Sequence, residues 1–160
     1  MATKQFWYLD TVYLISYIHR YIKNKIAQNL VDREQSNIAR RVIGKIKPEN
    51  IKVPVIVWGE VLTQLKEKQV DLGVMSLTSD FETAWLRRNE TKTFSKIVHD
   101  LAEKEMRLEP FDCLITAFAI ASSECCGLLT FDSHLIGNVA IKEIIDEIGR
   151  SGTFTIIEEP

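Results

Sequence analysis

Short apolar runs alternate with segments whose apolar residues recur at helical spacing, and this alternation restricts the fold of the chain more than any other feature of it. Lys4 to Leu9 is an aromatic, apolar strand candidate, and from Tyr13 onward Leu14, Tyr17, Ile18, Tyr21, Ile22 and Ile26 share one helical face. A second helix is expected from Glu34 to Ile46, ended by Pro48. Val53 to Trp58 reads as a strand, with Pro54 restricted to its first residues or to a bulge because proline donates nothing to a central ladder. Val61, Leu62 and Leu65 then open a helical face, and Val70 to Leu77 reads as a third strand. Thr78, Ser79 and Asp80 are good helix caps, predicting a helix through Phe81, Ala84 and Trp85. Another helix starts near Thr93 and carries Phe94, Ile97, Val98, Leu101 and Met106. Asp112 to Ser122 predicts an apolar helix, Gly127 to Phe131 a strand, Lys142 to Ile148 a helix and Thr153 to Ile157 a last strand. This order predicts an α/β fold, one domain over residues 1–160, with a mostly parallel five-stranded sheet flanked by helices on both faces.

With 160 residues, 46% of them hydrophobic and 26% charged, the chain is long enough to bury a core without disulfides or a structural metal. The most apolar stretch, Leu114 to Ser123, falls short of the ~20 residues a bilayer crossing takes. The first apolar run, Phe6 to Leu9, is too short for a targeting core, so a cytoplasmic setting is expected. Cys113, Cys125 and Cys126 are odd in number and two are adjacent, which suits small buried hydrophobes rather than a disulfide framework. A net charge of −2 argues against a surface built wholly to grip nucleic acid, while leaving room for a local basic patch.

In parallel α/β sheets the functional edge lies at the carboxyl ends of the strands. Asp10 closes the first apolar run, Glu60 follows Val55-Ile56-Val57-Trp58-Gly59, Asp132 closes Leu129-Thr130-Phe131, and Asp112 opens the apolar helix that feeds the fourth strand. Any one of these acids is explained by the preference of carboxylates for helix N-termini. Four together repel one another, and no Lys or Arg stands next to any of them in the sequence. A divalent cation with a taste for hard oxygen ligands, magnesium or manganese, is the natural neutraliser, and such sites carry out phosphoryl chemistry. Setting the four aside leaves 18 acids against 20 basic residues. The basic residues bunch in two groups, Arg33, Arg40, Arg41, Lys45 and Lys47, and Arg87, Arg88, Lys92 and Lys96, which are solvated faces or phosphate contacts.

Taken with their order and separations of 50, 52 and 20 residues, Tyr8-Leu9-Asp10-Thr11, Glu60-Val61-Leu62-Thr63-Gln64-Leu65, Phe111-Asp112-Cys113-Leu114-Ile115-Thr116-Ala117 and Leu129-Thr130-Phe131-Asp132 resemble the motifs of PIN-domain ribonucleases. The resemblance spans nearly the whole chain, and the added length relative to the family's small toxins falls between Lys23 and Pro48. It implies that Asp10, Asp112 and Asp132 are the main ligands of Mg2+ or Mn2+, that Glu60 completes the acidic pocket, and that Thr130 supports it by hydrogen bonding. It also implies cleavage of single-stranded RNA and, as for VapC-type toxins, an antitoxin partner and a homodimer. Alternatives within the family are a housekeeping RNA-processing or decay nuclease and a catalytically silent scaffold that binds RNA or protein. A phosphoacceptor domain is disfavoured, because Asp10 lacks a neighbouring acid and Thr153 to Ile157 carries no lysine. An Asp-x-Asp phosphatase is disfavoured by Asp10-Thr11-Val12. His134 is expected at the surface, and Trp7, Trp58 and Trp85 are expected to pack rather than to stack on bases.

Overall fold

The computed structural model describes residues 4–22 and 32–160. Five strands, β1 (Phe6–Leu9), β2 (Ile51–Pro54), β3 (Glu82–Ala84), β4 (Cys125–Leu129) and β5 (Thr155–Ile157), form an all-parallel sheet in the order β3-β2-β1-β4-β5. Parallel neighbours need crossovers, and the helices supply them: α1 (Thr11–Ile18), α2 (Arg33–Ile46), α3 (Val55–Glu67), α4 (Thr91–Lys104), α5 (Pro110–Ala121) and α6 (Val139–Glu147). The three central strands are almost entirely buried, as expected of a sheet covered on both faces. Tyr8 of β1 packs on Phe118 of α5, whose ring meets Phe94 of α4 edge-on at 6.3 Å. Gly127 keeps β4 open to its neighbours: a Cβ there would lie 2.5 Å from the Trp7 ring and 2.8 Å from the Thr155 carbonyl oxygen.

Two parts of the expected pattern are corrected. The second strand ends at Pro54, and Val55 to Trp58, read as its continuation, form the first turn of α3. Pro54 caps that helix, where its missing donor costs nothing because the first helical N–H groups have no partners in any case. Burial of Val57 and contact of Val55, Ile56 and Trp58 with the core outweigh the β preference of this run. The strand also begins earlier than expected, because Lys52 is buried inside it, its ammonium 3.0 Å from Glu124, 3.1 Å from Glu82 and over the Phe6 ring.

The segment read as the third strand, Val70 to Leu77, is mostly a 3-10 helix over Leu72–Thr78, capped by Asp71 accepting from Gly73 N–H. The third strand is instead Glu82–Ala84, where a helix is expected from the sequence. Thr78 closes a turn by accepting from Phe81 N–H, so the residues read as helix caps return the chain to the sheet beside β2. The expected first helix ends at Ile18 and continues as a 3-10 turn over His19–Tyr21; its last expected residues, 23–26, and the first part of the added length lie outside the described residues.

Within the core, the hydroxyls of Ser16 and Thr116 are buried with no hydrogen-bond partner among the described residues. Thr116→Val keeps the shape of the side chain and removes an orphaned polar group, so it is expected to stabilise the fold by about 1 kcal/mol. A thermal melt checks this; a fall of several degrees instead of a rise overturns the orphan assignment.

Candidate active site

All four acids border one cavity of about 360 Å3, together with Thr11, Gln35, Glu109, Phe111 and Phe131. Each arrives from a different element. Leu9 pairs with Leu129 across the sheet, so Asp10 and Thr130 leave β1 and β4 side by side. Asp10 caps α1, accepting from Tyr13 N–H at 2.7 Å through Oδ1 and from the Thr130 hydroxyl through Oδ2. The same hydroxyl oxygen accepts from Asp132 N–H at 3.0 Å, and Asp132 in turn accepts from His134 N–H at 2.8 Å. Thr130 therefore ties two of the acids together.

The early helix start at Val55 moves Glu60 away from a strand end and into the second turn of α3. From there its carboxylate accepts from the Thr11 hydroxyl and from Gln64 Nε2. α5 starts at Pro110 rather than at Asp112, which places Asp112 in the first helical turn, near the positive end of the helix dipole. Among the described residues no hydrogen bond reaches the Asp112 carboxylate, and no Lys or Arg forms an ion pair with any of the four acids.

The electrostatics follow from burial and like charge. Asp10 is 7% exposed, and burial pushes its carboxyl up to about 7 despite the bonds from Thr130 and Tyr13, with Asp112 and Asp132 pushing further the same way. Burial, then the charges of Asp132, Glu60 and Glu109, push Asp112 up to about 6, while His134 works weakly against them. A folded-state pKa above the ordinary 3.8 means that the folded chain holds protons that the unfolded chain has released. Stability of the metal-free protein is therefore expected to fall as pH rises from about 4 to about 7, and saturating Mn2+ should recover it by binding the native state. Melts across that range with EDTA and with Mn2+ check the prediction; a metal-free melt that climbs towards pH 7 counts against it.

A buried carboxylate beside two others, with no cation paired to it, suits a hard divalent ion. Among the described residues no three His, Cys, Asp or Glu side chains are drawn tightly enough to enclose a metal by themselves. Magnesium and manganese are bound through few carboxylates and keep several waters, so an open acidic cavity serves them.

Three polar residues at the site escape the sequence reading. Gln64 lies one turn after Glu60, a relation readable only once Glu60 is known to be helical. Glu109 lines the cavity just ahead of Pro110, and Gln35 reaches it from the first turn of α2. Of the two basic groups, three members form ion pairs among the described residues: Arg41 with Glu159, Arg87 with Glu124 and Lys96 with Asp100. Trp58 donates to Thr83 and Trp7 packs on the core, whereas Trp85 is 66% exposed, contrary to the packing expected of it. His134 is at the surface as expected, and Cys113, Cys125 and Cys126 are free thiols, the first two buried.

The sequence profile of the PIN domain matches residues 8–142, from the strand before Asp10 to beyond Asp132. The chain belongs to the PIN domain family. The fold of this PIN domain is similar to a chain in the crystal structure of VapBC2 from Rickettsia felis bound to a DNA fragment from their promoter. The TM-score is 0.56 at 16% identity, over 95% of this chain and 97% of that one. No curated protein sequence matches the chain. Among the described residues no helix of this PIN domain is long and apolar enough to cross a membrane.

Proposed function

We propose that this PIN domain is an Mg2+- or Mn2+-dependent endoribonuclease that cleaves single-stranded RNA, and that it serves as the toxin of a toxin–antitoxin pair. The observation that carries the nuclease reading is the set of four carboxylates around one cavity, with no paired Lys or Arg among the described residues. The toxin reading rests on the similarity to a chain of the Rickettsia felis VapBC2 structure, which supports an antitoxin partner; a homodimer and a cytoplasmic setting are part of the proposal.

Asp10, Asp112 and Asp132 would hold the metal, with Glu60 completing the set. Bound there, the ion supplies Lewis-acid stabilisation of the charge that develops on a phosphodiester and eases deprotonation of water. The protein's own part is positional. Thr130 fixes Asp10 relative to Asp132, and the first turn of α5 brings in Asp112. Glu60, on a helix rather than at a strand end, would take up the proton of the attacking water.

Purified protein on an end-labelled single-stranded RNA tests the reading: cleavage with Mn2+ or Mg2+ and none in EDTA is expected, and cleavage indifferent to EDTA overturns it. Growth arrest on expression, relieved by Asp10→Ala and by co-expression of a small neighbouring reading frame, is the outcome expected of a toxin. Harmless expression of an RNA-cleaving protein assigns it to RNA processing or decay.

A further inference from the structure

Glu60 is the only one of the four acids carried beyond the first turn of a helix, so no backbone N–H caps it. It shares the cavity with Asp112, a like charge. A three-carbon carboxylate side chain in that position swings into solvent unless something restrains it. Two side chains do so. Thr11 is 3% exposed, and its hydroxyl, at the first position of α1, crosses to Glu60 Oε2 on α3. Gln64, one turn along α3, donates from Nε2 to Glu60 Oε1 at 3.3 Å. Each carboxylate oxygen thus has one donor, and both donors are neutral. A lysine or arginine in either place would cancel the charge that a cation needs; a hydroxyl and an amide hold the group still and leave it negative.

We infer that Thr11 is a positioning residue which, with Gln64, holds Glu60 at the rim of the carboxylate cavity for metal binding and catalysis. The inference rests on the nuclease reading and adds a second task to the Asp10-Thr11 dipeptide. Asp10 joins Thr130 and Asp132 on one side, and Thr11 joins Glu60 on the other. One backbone turn therefore sets the spacing of three of the four acids.

The test compares wild type, Thr11→Val, Thr11→Ser and Gln64→Leu in two assays, calorimetric titration with Mn2+ alone and steady-state cleavage of a labelled RNA. Valine keeps the shape of threonine and removes only the donor. Thr11→Val is expected to lose about 10- to 100-fold in Mn2+ affinity or kcat, as outer partners of metal ligands do, with KM for RNA unchanged. Thr11→Ser restores most of the loss, and Gln64→Leu falls in the same direction by less. Thr11→Val that binds Mn2+ and turns over like wild type overturns the inference, as does Thr11→Ser equal in its defect to Thr11→Val. Should Thr11→Val fail to fold, half-exposed Gln64→Leu decides by the same two readouts. A wild-type protein that binds Mn2+ but cleaves no RNA removes the nuclease reading, and the Mn2+ affinities still settle the role of Thr11.

Discussion

Asp112→Asn is expected to reduce metal-dependent RNA cleavage by about 100-fold or more, beyond what removing an outer partner of a metal ligand costs. Its metal-free form is expected to melt no lower than wild type, and above pH 6 to melt higher. The two effects have one cause. The Asp112 carboxylate is pushed up to about 6 by burial and by Asp132, Glu60 and Glu109, so at neutral pH its charge works against the fold. Asparagine has nearly the same shape and no charge, and no hydrogen bond to Asp112 from a described residue is lost. The substitution also gives up an acid in the first turn of α5, a favourable placement of about 0.3 to 1 kcal/mol at most, smaller than the repulsion relieved. Parallel assays of cleavage and of melting in EDTA at pH 7.5 check the pair. Loss of activity together with a large fall in melting temperature would mean that Asp112 is structural, and retained activity would remove it from the site. Stability gained as function is lost is the pattern of a residue kept for its chemistry.

Arg150→Ala is expected to cost about 3 to 5 kcal/mol of stability. The Arg150 guanidinium donates to the carbonyls of Ala119, Ile120 and Ser122, at 3.3, 2.8 and 2.8 Å, and to that of Cys125. The first two are acceptors in the last turn of α5, where the helix can no longer satisfy them, the third belongs to its C-cap and also accepts from Cys125 N–H at 3.2 Å, and the fourth opens β4. Alanine removes a donor from all four and strands the Ala119 and Ile120 carbonyls, whereas the Ser122 carbonyl keeps the Cys125 N–H; each buried orphan costs about 1 to 3 kcal/mol less whatever water recovers. For a chain of this size the shift in Tm is about 2 to 4 °C per kcal/mol. Arg150→Lys should recover under half the loss, because an ammonium has no planar fork to span four carbonyls. Thermal and urea melts of both variants decide; a cost below about 1 kcal/mol would mean that solvent already serves these acceptors.

Much of the fold is legible in the sequence because its central strands are buried on both faces and bracketed by strong helices. β1 and β4 stand out as apolar runs that end on polar residues, and α5 as one that opens beside Asp112; those polar residues belong to the candidate site. The alternation, the parallel sheet and the PIN-domain membership follow from them. The edge of the sheet is less legible. β3 is three residues of mixed polarity, too short for a period to show, while Val70 to Leu77 is apolar enough to pass for a strand yet packs as a 3-10 helix. Lys52 hides the start of β2, because a lysine in a central strand reads as a break until Glu124 and Glu82 are seen to pair with it. Pro54 hides its end, since a β-branched run after a proline gives no sign of turning helical. In the site, the four acids and Thr130 are visible as motifs. Thr11 lies inside one of those motifs without an assigned role, because its partner Glu60 stands 49 residues away in the chain.

The order in which the acids arrive has a consequence for the life of the chain. Asp10 is synthesised 120 residues ahead of its hydrogen-bond partner Thr130, which with its neighbour Asp132 lies just after the strand that pairs directly with β1. Until β4 has emerged and slotted in beside β1, nothing brings Asp132 to Asp10, and the acidic cavity does not exist. A chain interrupted before β4 for that reason lacks the assembled cavity. The four acids share one cavity only once β4 has taken its place beside β1.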